Sequence, residues 1–152
     1  MLLKEAEGFK MFKILLEIAG TQKIDNQHDR MELTTVADFE ECESAYIINY
    51  TEEQEPPMSP VNVQVKINKD ERLVEMTRTG AFDSCLTIEK SRRNLCRYGT
   101  EYGDILMGIS GHGIDTEFDG EKGKFVFSYD IDINGALASR NDVKLSFRKN
   151  QE

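Results

Sequence analysis

The residues most open to a chemical reading are Asp130-Ile131-Asp132-Ile133-Asn134-Gly135. They copy the first half of a calcium-binding EF-hand loop, with acids at positions one and three, Asn at five and Gly at six. Leu137 even supplies the apolar residue of position eight. The twelfth position, where a Glu should give two oxygens, is Asn141, and the run before Asp130 alternates apolar and polar residues instead of forming a helix. The expectation is a strand with Ser128, Asp130 and Asp132 on its solvent face, ending at Asn134-Gly135, with no metal site.

A second group is Gly108, Gly111 and Gly113 around His112. A phosphate-cradling glycine loop belongs between a strand and a helix. Here strand follows strand, so a bent or bulged strand is expected, with His112 a rim residue and no nucleophile or orienting acid beside it. Arg92, Arg93 and Arg97 stand near Tyr98 and Tyr102, a sparse version of a single-strand nucleic-acid face. A solvated turn is the simpler reading. Acids such as Glu40-Glu41-Cys42-Glu43 and Glu52-Glu53 read as charge on exposed loops, because no pair stands out as a catalytic acid and base. None of these groups makes an enzyme, and none calls for a cofactor.

The composition narrows the partners. The 152 residues carry 19 Lys and Arg against 28 Asp and Glu, a net charge of −9. Phosphate contacts need clustered positive charge, so neither nucleic acid nor an anionic membrane surface is expected to bind. Three cysteines, an odd count at spacings that match no metal or redox motif, read as free thiols in a reducing compartment. The opening MLLKEAEGFK lacks the basic start and continuous apolar run of a signal peptide. A cytoplasmic location is the expectation, which leaves the glycosylation acceptor Asn49-Tyr50-Thr51 without meaning.

What would position these residues is β-structure. Phe125, Phe127, Tyr129, Ile131 and Ile133 alternate with polar residues, as do Val61, Val63, Val65 and Ile67, and Val143, Leu145 and Phe147. Alternation sends successive side chains to opposite faces of a sheet. Weaker runs at 12–19, 30–39, 44–50, 72–79, 84–89, 94–98 and 104–110 bring the count to about ten strands. Residues 51–60 hold all three prolines and read as a loop. Residues 1–11 read as an upstream extension or a short helix, and residues 12–149 as one all-β domain. Sequential strands with short turns favour a closed antiparallel barrel over a sandwich.

Arg78-Thr79-Gly80 and Tyr98-Gly99-Thr100-Glu101-Tyr102-Gly103 carry a further signal. With the alternating run to Tyr129, and Ile133-Asn134 followed by Ser139, Asn141 and Val143, they resemble the YwiB-like bacterial family of unknown function. Ala19-Gly20-Thr21-Gln22 and Glu32-Leu33 fit the same pattern, so the likeness spans about residues 12–149. It implies a calycin-like, lipocalin-type barrel of about eight to ten strands, and no established activity.

A barrel of this size is either filled by side chains or leaves room for one small ligand. Two functions follow: binding of a small apolar or amphipathic molecule inside, or a filled barrel acting as a protein–protein interaction module. Arg78 continues the face of Val74 and Met76, so it is expected to point inward and to need an anionic partner, from a ligand or a buried acid. With Tyr98, Tyr102 and Tyr129 it makes the candidate ligand site. Neither the oligomeric state nor the ligand's identity is written in the sequence.

Overall fold

Alternation governs the chain from end to end. The computed structural model describes residues 10–80 and 83–150. Its elements are β1 (Lys10–Ile24), β2 (Gln27–Glu41), β3 (Ala45–Glu52), β4 (Val61–Asn68), β5 (Leu73–Thr79), β6 (Ser84–Glu89), β7 (Arg93–Thr100), β8 (Gly103–Phe118), β9 (Lys122–Ile133) and β10 (Ala136–Lys149). Each strand pairs antiparallel with the next, and β1 pairs with both β2 and β10, closing the sheet into an up-and-down barrel. Leu16, for example, lies opposite Phe147 on one side and Thr35 on the other.

Several strands run longer than expected: β2 reaches from Gln27 to Glu41 and β8 continues to Phe118. Lys10 and Met11 already belong to β1, so the extension expected over residues 1–11 falls, to residue 9, outside the described residues. Thr51 and Glu52, expected in the proline loop, continue β3, because Tyr46, Ile48, Tyr50 and Glu52 keep one alternating face. The glycines of β8 do form a bulge. The register with β9 shifts between Gly111 and Ile114, which returns Ile114, Thr116 and Phe118 to the inward face that Met107 and Ile109 began. At Asn134 and Gly135 both φ angles are positive (54° and 85°), the backbone of a tight two-residue hairpin turn.

Because strands alternate in direction, the turns at 25–26, 53–60, 101–102 and 134–135 share one end of the barrel with the end of β5 and the start of β6. The two ends are packed differently. At the other end Phe39 is fully buried among rings: its centroid is 5.2 Å from Phe12, 4.9 Å from Phe118 and 4.9 Å from Phe147. Phe125 and Tyr46 complete this plug, their centroids 4.9 Å apart. Above it Lys69 donates to Glu41 at 2.8 Å and lies 5.1 Å over the Tyr46 ring, and the Glu71 carboxylate accepts from the backbone N–H and hydroxyl of Thr116. The middle of the barrel is aliphatic, with Ile14, Leu16, Val63, Val65, Ile109 and Leu145 buried.

Some ladders are partial. β2 meets β3 only from Asp38↔Asn49 to Glu41↔Tyr46, so residues 27–37 of β2 run on without it. The β7–β8 hairpin also projects past its neighbour, since β8 joins β9 only from Gly108 onward.

Gly111 marks a close approach in the wall: a Cβ there would run into the backbone of Glu89, a group that no rotamer can move. Gly111→Ala is expected to destabilise the barrel by about 3 kcal/mol, the upper range for overpacking. Urea melts followed by circular dichroism test this. Gly113→Ala, where a Cβ meets nothing within 4 Å, serves as the control and should stay near wild type.

Candidate functional site

The interior positions nearest the turn-rich end carry two rings, Tyr50 and Tyr129, and are otherwise small or aliphatic, so they do not close on one another. β1 contributes Ile18 and Gly20, β4 contributes Val65, β5 contributes Met76 and Arg78, and β10 contributes Asn141, Val143 and Leu145. Between them lies a cavity of about 280 Å³ opening at that end. This is just under the usual size of small-molecule pockets. Its apolar wall faces a polar corner built from three strands. Arg78 of β5 donates to Glu52 of β3, and the phenols of Tyr50 and Tyr129 stand beside them. Asn141 turns its amide to Ser139, 3.0 Å away.

The phenols record how dry this corner is. Burial is the main reason that the Tyr50 hydroxyl is pushed up to about 12, and the Glu52 carboxylate adds to it while Arg78 opposes. Tyr129 is raised as well, again by burial first; Arg78 opposes, and nearby Tyr98 adds. Both phenols are therefore neutral hydrogen-bond donors and acceptors across the ordinary pH range, and Arg78 and Glu52 supply the charge.

Of the residues expected to form a site, Arg78 and Tyr129 line the cavity together. Tyr98 faces the same end from the projecting hairpin, close enough to Tyr129 to act on its ionisation. Tyr102 is not brought to them: it occupies the β7–β8 turn and is 92% exposed. Glu52, Tyr50 and Asn141 were missed. Their signal was present in the alternation, Glu52 two residues beyond Tyr50, and Asn141 two before Val143, but prolines and polarity hid it.

The remaining motifs resolve into surface pairings. Arg93 makes two 2.8 Å hydrogen bonds to Asp132, a fork that holds the Asp132 carboxyl below its ordinary range. Asp130 faces His112 at 3.0 Å and Arg140 at 3.9 Å. His112 thus sits on the outer wall at the bulge, not at the rim, and it does have an acid beside it, because strand pairing across the bulge brings Asp130 of β9 to it. Arg92 and Arg97 face Glu89 and Asp104, so the basic cluster is met by acids. Among the described residues, no group of His, Cys, Asp and Glu is arranged to hold a metal ion, and no helix is long and apolar enough to cross a membrane. Cys42, Cys85 and Cys96 are free thiols.

With this geometry in view, comparisons give three findings. The family described as Domain of unknown function (DUF1934) matches residues 16–145. The crystal structure of the YwiB protein from Bacillus subtilis superposes with a TM-score of 0.81, covering 97% of this chain and 99% of that one at 18% identity, a likeness of fold. No curated protein matches.

The raised Tyr50 phenol has a consequence in alkali. Its folded value lies above the unfolded one near 10, so the stability it contributes is complete below pH 10 and is lost as pH rises towards 12. Relative to Tyr50→Phe, the wild type should lose roughly 2 kcal/mol across that window. Paired urea melts at pH 9.5 and 11.5 test it; parallel changes in the two proteins would contradict it.

Proposed function

We propose that this chain, which belongs to the DUF1934 family of domains of unknown function, binds one small, mostly apolar molecule in the open half of its barrel. The observation that carries the reading is the contrast between the two ends. Rings fill one end, whereas the other keeps about 280 Å³ between an aliphatic wall and a polar corner. Apolar surface with a few convergent polar groups is the usual composition of a ligand pocket. Exposed apolar side chains also crowd that end, among them Ile24 and Met31 of the β1–β2 hairpin and Ile105, Ile133 and Leu137 across from it. On this reading the protein is a calycin-like binding barrel, its free thiols suit the cytoplasm, and no catalysis is assigned to it.

A second reading, a barrel that works through its surface, draws on the same exposed side chains. Tyr102, Leu106 and Leu137 present apolar surface to solvent beside the mouth. Cross-linking and pull-down from a native extract would then recover a partner that a Tyr102→Ser, Leu106→Ser, Leu137→Ser variant loses, and no recovery under several conditions would exclude it.

Gly20 offers a clean test of the first reading. It lines the cavity, and a Cβ there meets only the Asp142 carbonyl at an ordinary 3.9 Å. Gly20→Phe should place a ring in the space while changing stability by no more than about 1 kcal/mol. The chain has no tryptophan, so a neutral dye such as N-phenyl-1-naphthylamine can be followed against a dark background. The wild type should brighten the dye and the variant should not. Equal fluorescence from both proteins would place the dye elsewhere and defeat the reading.

A further inference from the structure

The polar corner is asymmetric in a way that points to the ligand's chemistry. Arg78 sits in the ladder on both sides, opposite Val63 of β4 and Ser84 of β6. Glu52 is the last residue of β3, paired through Val61 of β4 alone. The β2–β3 ladder has already ended at Asp38↔Asn49, so nothing on that flank holds residues 50–52. Beyond Glu52 the chain enters the loop at 53–60. The cation is therefore fixed by the wall, and its partner is carried on a strand end that few hydrogen bonds would resist moving.

The other charges at the mouth do not compete for this role. Arg30 is exposed and donates to Glu32 at 2.7 Å, and Asp29 and Asp142 are exposed acids. Arg78 is the cation that shares the cavity with the aliphatic wall and the two neutral phenols.

Resting on the binding function proposed above, we infer that Glu52 is an internal stand-in for a ligand carboxylate, and that the natural ligand class is an apolar monocarboxylate whose head group takes Arg78 from Glu52. A planar carboxylate matches the two-pronged guanidinium, of which Glu52 now takes one nitrogen, Nη2. The hydrocarbon part then lies against Ile18, Met76, Val143 and Leu145, and the Tyr50 and Tyr129 hydroxyls can donate to the second oxygen. Displacement moves Glu52 outward with the end of β3, so each binding event breaks one ion pair and forms another. Affinity for carboxylates is held down by the internal competitor, whereas affinity for an uncharged molecule of the same shape is not.

Calorimetric titration of the whole chain with octanoate and with 1-octanol separates these effects. Octanol should bind the wild type and Glu52→Gln alike. Octanoate should bind Glu52→Gln about tenfold more tightly than the wild type, a coupling of ordinary size between competing partners. The double variant Glu52→Gln, Arg78→Met should lose octanoate and keep octanol. If Glu52→Gln folds poorly, Glu52→Asp draws the carboxylate back by one methylene and should raise octanoate affinity in the same direction. Octanol binding with no gain for octanoate in either variant would overturn the stand-in role and leave the binding cavity in place. Failure of both molecules to bind any of the proteins would overturn the cavity reading, and this inference with it.

Discussion

The pairing of β1 with both β2 and β10 is the constraint on which the rest of the molecule depends. A twisted antiparallel meander of this length would otherwise present two long edges, each a row of unpaired backbone groups. Closure removes them and, in the same step, sorts every side chain into inside or outside. It also sets the interior volume. Eight strands enclose a space that ordinary side chains just fill, and the diameter grows with strand number. Ten strands enclose more than aliphatic residues can pack.

The chain meets that surplus differently at its two ends. Phe39 and the five rings around it interlock, mostly in tilted and edge-on arrangements that favour aromatic contact. At the opposite end the inward positions hold two rings, Tyr50 and Tyr129, beside Gly20, Val65, Met76 and Asn141, which are too small or too polar to meet across the barrel. A cavity is the geometric remainder. The partial β2–β3 ladder belongs to the same solution: β2 continues with β1 beyond the last contact with β3, so the wall loosens beside the open space and stays sealed beside the plug.

Most of this was legible from period two, because a closed barrel with one wet face imposes alternation on every strand. All ten strands could be found that way, and the inward faces of the most regular ones with them, although the eighth reads only to residue 110 and continues to Phe118. The losses have particular causes. The bulge between Gly111 and Ile114 reverses the parity of β8, so Ile114 and Phe118 look out of phase with Met107. In the sequence Glu52 reads as loop, because prolines follow it and acids normally stay in water, whereas its place two residues past Tyr50 puts it inside. Arg78 follows the same alternation from Val74 and Met76. Tyr102 shows the reverse error: nearness in sequence to Tyr98 suggested a shared site, and the turn at 101–102 sends the two rings apart. The resemblance carried by the tyrosine–glycine segment pointed to the right family without saying what any of its residues do.

The two ends also show how little an ion pair means apart from what lies beneath it. Lys69–Glu41 at the plugged end and Arg78–Glu52 at the open end both join a half-buried cation to an acid at the end of a strand, Lys69 from the β4–β5 turn and Arg78 from β5. The first rests on a packed ring: Lys69 is held over Tyr46, and moving either partner would uncover the aromatic plug. The second overlooks space, with its acid on a strand end and its cation in the wall. Neither pair adds much stability that an apolar pair of similar volume could not supply. Where the packing beneath is complete, the pair acts as a seal. Where it is incomplete, the same chemistry leaves a fixed positive charge beside an apolar cavity, with a counter-ion that can yield its place.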